Sequence, residues 1–192
     1  MDYLVRKAQP ADARLLAVLA TQVWLHTYAT EGVSSSISEF VLNEITPDKY
    51  TALLQNSSAL VLVAERNQNL LGFAVLQLET PCSNAPDATI ELETLYVQAH
   101  FTGKRIGSAL LTESQRMAEV LANSRLWLTV NVKNERAISF YSGHRYSKVG
   151  THVFLLGDVG HDNDVLLGPH PILNKKPRRA KVLRGFWRKP GS

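Results

Sequence analysis

Glu91–Leu111 reads ELETLYVQAHFTGKRIGSALL. Thr89–Val97 is a strand of β-branched, apolar and aromatic residues. A polar loop containing Gly103 follows, and a helix begins near Ile106-Gly107-Ser108. A strand, a glycine-bearing turn and a helix N-terminus in this order leave backbone N–H groups and the positive end of a helix dipole facing outward, which suits a phosphate. Lys104 and Arg105 add positive charge at the same point. The stretch is neither the GxGxxG of a dinucleotide fold nor a P-loop. Taken alone it is equally an ordinary strand-to-helix turn with a solvated Lys-Arg pair.

Downstream, Ile106, Ala109, Leu110, Met117, Val120 and Leu121 mark an amphipathic helix, and Leu126, Leu128 and Val130 alternate in a strand. Then comes NERAISFYSGHRY, Asn134–Tyr146. Asn134 can cap a short helix over 134–142. Ala137, Phe140 and Tyr141 share one helix face, with Asn134 two turns before Tyr141 on that face. Lys148–Leu156 reads as a last long strand. Upstream, Tyr3–Lys7 is a short strand, and Pro10 opens a helix reaching Tyr28. Helices follow over 37–43 and after Thr46-Pro47, and Ala59–Arg66 with Leu70–Glu79 form a hairpin about Asn67–Asn69. The order is an α/β arrangement around a mixed sheet.

The wider composition fits one soluble domain. The chain has 192 residues, 45% hydrophobic and 20% charged, the ordinary globular range. No apolar run approaches a membrane span, the start does not read as a signal peptide, and the single cysteine, Cys82, excludes an internal disulfide. An intracellular, cytoplasmic protein is expected. The net charge of +4 conceals an asymmetry. Eight Lys/Arg lie in 165–192, leaving thirteen basic against seventeen acidic residues before that point, a net of −4. The expected organisation is a domain over 1–168 and a basic, flexible extension over 169–192. Residues 174–192 interleave Lys/Arg with Phe186 and Trp187, a composition that can remain solvated or meet nucleic acid or an anionic membrane surface. The six histidines are scattered without ligand spacing, so no metal is expected. No G-x-S-x-G elbow is present.

The phosphate-suited turn, the strand about 20 residues on and the N-x-x-A-x-x-F-Y helix together resemble the GNAT superfamily of N-acetyltransferases, over roughly Tyr3–Leu156. The resemblance implies a mixed, mostly antiparallel central sheet flanked by helices, with a splayed central strand pair, and acetyl-CoA as cosubstrate. It places Leu95, Tyr96 and Val97 beside the pantetheine arm, Thr102, Gly103, Lys104, Arg105, Ile106, Gly107 and Ser108 around the pyrophosphate, and Asn134 against coenzyme A. It gives Tyr141 the role of general acid. Thr102 stands where the family usually has Gln or Arg, and Arg105 and Arg145 stand where it usually has glycine. The run from Val149 to Asp158, with Trp24–Tyr28, is similar to bacterial spermidine/spermine N-acetyltransferases. Partners implied are a small-molecule amine and, as an assembly open to such a domain, a homodimer.

Glu91 and Glu93 lie two apart on a strand and share a face. They can drain a proton from an incoming ammonium, attract a cation, or be solvated carboxylates. Asp158, Asp162 and Asp164 read as a Gly-rich loop that either is solvated or recruits a cation. The expected activity is acetyl transfer to a primary amine, a polyamine first among candidates. The alternative is a catalytically weak acyl-CoA-binding or nucleic-acid-associated relative working through its basic tail.

Overall fold

The computed structural model describes residues 2–156 and 159–170. In chain order the elements are β1 (Leu4–Lys7), α1 (Ala13–Tyr28), α2 (Ser35–Glu44), α3 (Pro47–Gln55), β2 (Ala59–Arg66), β3 (Asn69–Gln77), β4 (Ile90–Val97), α4 (Ile106–Ala122), β5 (Leu126–Asn131), α5 (Glu135–Gly143), β6 (Ser147–Leu156) and β7 (Val159–Leu167). They build one seven-stranded sheet in the order β1-β2-β3-β4-β5-β7-β6, antiparallel at every junction except β4–β5, which is parallel. This is the mixed, mostly antiparallel sheet with flanking helices that the sequence implies.

The helix starts follow local chemistry. Ser34 and Thr46 cap α2 and α3 by accepting from Ile37 N and Lys49 N, each at 3.3 Å. Before α1, a 3-10 turn over Pro10–Asp12 is anchored electrostatically. Asp12, only 5% exposed, accepts from Gln9 N at 2.7 Å and pairs with Arg6 at 2.7 Å. The Arg6 guanidinium holds the Asp12 carboxyl below the usual range, and it also binds Glu65 at 2.5 Å, so one cation ties β1, the turn and β2.

Each face of the sheet has its own core. Leu60, Leu62, Leu71, Leu76, Ile90, Leu92, Leu126 and Leu128 pack with Ile106, Leu110 and Leu111 of α4. Val61, Val63, Phe73 and Val75 pack on the other face with Leu16, Leu19 and Ala20 of α1, and Tyr50, Leu53 and Leu54 of α3 join them. Each fully buried Val, Leu, Ile or Phe among them contributes about 1.5–3 kcal/mol.

One irregularity re-aims β4. Val75 faces Thr94 and Leu76 faces Leu92, so Glu93 has no opposite number on β3. This bulge lets Ile90 and Leu92 share a face with Leu95 and Val97, which strict alternation forbids.

The acidic stretch near the C-terminus is corrected. Asp162 and Asp164 belong to β7, not to a loop, and Asp164 pairs with Lys148 of β6 at 2.6 Å. β7 lies between β5 and β6, with Val165 and Leu167 buried over Cys82, Ala85 and Ala88. Asp158 and the basic stretch 174–192 lie outside the described residues.

Candidate active site

β4 and β5 are joined only at Ile90–Leu126 and Glu91–Trp127. Beyond Glu91 the two strands splay, and among the described residues the β5-facing edge of Glu93–Val97 has no strand beside it. Crevices at the carboxyl ends of parallel strands are where open sheets of this kind admit ligands. The splay opens into a cavity of about 520 Å³.

One wall is the turn into α4. Thr102 Oγ1 bonds Ala99 O at 2.7 Å, and Gly103 (φ 75°) and Arg105 (φ 62°) are both left-handed. The chain thereby turns sharply into α4 with no side chain capping it. The first helical bond runs from Ala109 N to Arg105 O. The N–H groups of Ile106, Gly107 and Ser108 therefore have no acceptor within the helix, and all three residues line the cavity. Tyr3 Oη reaches Arg105 O at 3.1 Å and braces the turn.

The opposite wall is α5. Asn134 caps it, accepting from Ala137 N at 3.1 Å, and contributes to the lining with Arg136, Ala137, Phe140 and Tyr141. The helix ends in a left-handed residue, Arg145 (φ 66°), and Tyr146 N returns to Tyr141 O at 3.0 Å while their rings lie tilted with centroids 5.5 Å apart. This is a Schellman closure, and it fixes the backbone from which Tyr141 projects. Tyr141 is 9% exposed, and burial pushes its hydroxyl above the ordinary value of 10.0. At neutral pH it is a proton donor.

The cavity brings together Leu95, Val97, Thr102, Gly103, Arg105, Ile106, Gly107, Ser108, Asn134 and Tyr141 from the sequence-derived set. Four others do not line it. The Tyr96 ring turns to the α1 side and meets Phe73 edge-on at 5.5 Å. The Lys104 ammonium sits 5.0 Å from the centre of the Phe101 ring, with Arg66 also over that ring at 5.4 Å. Glu91 and Glu93 stand on the α1–α3 side of the sheet. Glu93 accepts from Gln77 Nε2 at 3.0 Å. Burial, then the Glu93 charge, raise the half-buried Glu91 carboxyl above the usual carboxylate range. Burial and Glu93 push Tyr50 up to about 12.

Sequence reasoning missed the α1 contribution, Val23, His26 and Thr27, which closes the cavity beside Ala99 and Phe101. Their spacing put them on one helical face, but nothing local said what that face meets. Among the described residues no group of three or more His, Cys, Asp or Glu is placed to hold a metal, and no helix is long and apolar enough to cross a membrane.

The model of the acetyltransferase (GNAT) family matches residues 15–144. An uncharacterized N-acetyltransferase of Mycobacterium bovis is 27% identical over 156 residues, covering 81% of this chain and 96% of that protein. A spermidine N(1)-acetyltransferase of Thermoplasma acidophilum is 28% identical over 145 residues, covering 73% and 86%. Among solved structures, the PaiA N-acetyltransferase of Thermoplasma acidophilum in complex with coenzyme A superposes with a TM-score of 0.66 at 24% identity, covering 85% of this chain and 98% of that one.

Proposed function

The chain belongs to the acetyltransferase (GNAT) family, and from that premise we propose that it transfers an acetyl group from acetyl-CoA to a primary amine, with polyamines the first substrate class. One observation carries the reading. Residues of the free edge of β4, the uncapped start of α4 and Tyr141 all line one cavity.

The residues fit the cosubstrate. The unpaired edge of Leu95–Val97 offers backbone N–H and C=O groups to an amide-bearing arm. The N–H groups of Ile106, Gly107 and Ser108 and the α4 dipole hold the pyrophosphate, with Arg105 at the cavity wall. A Cβ on Gly107 would fill the gap between Phe140 and Val97 at ordinary contact distance, 3.5 Å from the Phe140 ring, so a larger side chain there would crowd this part of the cavity. When bound, acetyl-CoA supplies the activated acyl thioester.

The chain's own residues then manage protons. Tyr141 donates its hydroxyl proton to the departing sulfur. A tyrosine hydroxyl is protonated at neutral pH, and the burial that raises its proton affinity also raises that of a thiolate leaving into the same cavity, so the proton can still pass to it. Glu91 and Glu93 lie outside the cavity and act through water or at a distance, by drawing a cationic amine toward the sheet and taking up its proton. A raised Glu91 carboxyl is the better proton acceptor of such a pair.

The polyamine proposal rests on three supports: this carboxylate face, the net −4 of residues 1–164, and the spermidine-acetylating relative. A screen of amines, with free thiol released from acetyl-CoA as readout, tests it. Spermidine should be used in preference to a neutral monoamine of similar length, with kcat/KM falling as salt rises. Activity on peptide N-termini or amino acids alone would overturn the substrate class and leave the acetyl-CoA site standing.

A further inference from the structure

His144 stands just past α5, is half-buried and does not line the cavity. Its ring nevertheless bonds both walls. Nδ1 lies 2.7 Å from Phe140 O, and Nε2 lies 3.0 Å from Ser108 Oγ on the first turn of α4. In a continuing helix the His144 N–H would bond Phe140 O, but it turns to Tyr141 O and Ser142 O instead. The Phe140 carbonyl is thus left to the imidazole. A carbonyl only accepts, so the ring proton sits on Nδ1, and in the neutral ring Nε2 keeps a lone pair. The Ser108 hydroxyl then donates to Nε2.

The same ring packs tilted against Phe140 with ring centroids 4.4 Å apart, and the far edge of Phe140 covers Gly107. The other side-chain link between α4 and this turn, among the described residues, is Gln115 Nε2 to Tyr146 Oη at 3.3 Å. That contact lies two turns further along α4, away from the cavity mouth.

We propose that His144 is a positioning residue for the cosubstrate site. By donating to Phe140 O and accepting from Ser108, it clips the first turn of α4 to the end of α5. The N–H groups that hold the phosphate end and the tyrosine that serves the thioester end are thereby kept at one spacing. This rests on the acetyl-CoA reading above and adds a residue that touches neither end of the ligand.

Calorimetry of the full chain with coenzyme A tests it. Wild-type protein that binds no coenzyme A overturns the acetyl-CoA reading. With wild-type binding established, His144→Phe keeps the ring packing and removes both hydrogen bonds, and the Kd should rise about five- to tenfold, the scale of one net hydrogen bond. His144→Gln presents an amide donor and acceptor side by side and should return the Kd to within about twofold of wild type. Ser108→Ala should weaken binding similarly, with the His144→Phe/Ser108→Ala double variant no weaker, because coupled partners are non-additive. A purely structural role would lower the fraction of protein that binds and leave the Kd unchanged. An unchanged Kd in His144→Phe, or additive losses in the double variant, overturns the clip. The wild-type chain provides a test that no folding defect can obscure. Its imidazole nitrogen shifts should report the Nδ1–H tautomer, and an Nε2–H tautomer overturns the proposal.

Discussion

β4 is one strand with two fates. Its first two residues are zipped to β5, with Ile90 and Leu126 both about 1% exposed and sealed by α4. Its last five have no neighbouring strand on that side among the described residues, and residues of that stretch line a cavity. The bulge at Glu93 marks the change. It keeps the apolar residues of both halves on the α4 face while the carboxylates face the other way. The contrast shows how a sheet makes a site without losing its core. Hydrogen bonds are given up only where α4, α5 and α1 can enclose the exposed edge. The zipped half is accordingly a stability element, the open half a functional one, and mutations should sort between them.

The largest effect is expected in the zipped half. Leu126→Ala empties a fully buried site between β5 and α4 and should cost about 3–4 kcal/mol in urea unfolding. The protein that remains folded should bind coenzyme A with nearly wild-type affinity, because Leu126 contributes nothing to the cavity. A tenfold loss of affinity with little loss of stability would erase the distinction between the halves.

Next comes the open half. Tyr141→Phe keeps the ring, its packing against Phe140 and Tyr146, and the backbone closure through Tyr146 N. Only the proton donor is lost. Turnover should fall roughly 10²-fold, with coenzyme A affinity and urea midpoint almost unmoved. A variant with full turnover would make Tyr141 a packing residue of the cavity wall.

The two halves were not equally legible. The strand, turn and helix around Gly103, and the spacing of Asn134, Phe140 and Tyr141, are local patterns, so the α4 turn and the α5 wall of the cavity were readable from the chain. The α1 wall was not, because Val23, His26 and Thr27 come to face the same cavity as α4 and α5 only through the long-range packing of α1 on β3 and β4. β7 was missed for a different reason. Gly160, Asp162, Asn163 and Asp164 are poor strand formers, and a turn was the better local answer. Tertiary pairing overrides it, since β5 and β6 need a strand between them. The bulge left a trace only in hindsight: Ile90 and Leu92 against Leu95 and Val97 break strict alternation. Tyr96 and Lys104 lie on the strand and in the loop as read, but their side chains answer to Phe73 and Phe101 rather than to the cavity.

The smallest effect would separate the two rims of the open half. Arg105 and Arg145 stand where glycine is usual in the family, and both are left-handed, at φ 62° and 66°. A non-glycine residue there costs on the order of 1 kcal/mol. Glycine relieves that cost but enlarges the freedom of the unfolded chain. Arg145 is exposed and lies behind the cavity, so Arg145→Gly should raise the melting temperature by about 2 °C, or roughly 0.5–1 kcal/mol, and leave coenzyme A affinity unchanged. Arg105 lines the cavity. Arg105→Gly should bring a similar gain in stability but weaken coenzyme A about three- to tenfold, because it removes a guanidinium from the phosphate end. Opposite movements of stability and affinity at one rim, and of stability alone at the other, would mean that Arg105 is strained in the service of the ligand and Arg145 is not. If Arg105→Gly binds coenzyme A as well as wild type does, the phosphate is held by the backbone N–H groups of α4 alone, and the arginine is a tolerated departure from glycine at both ends.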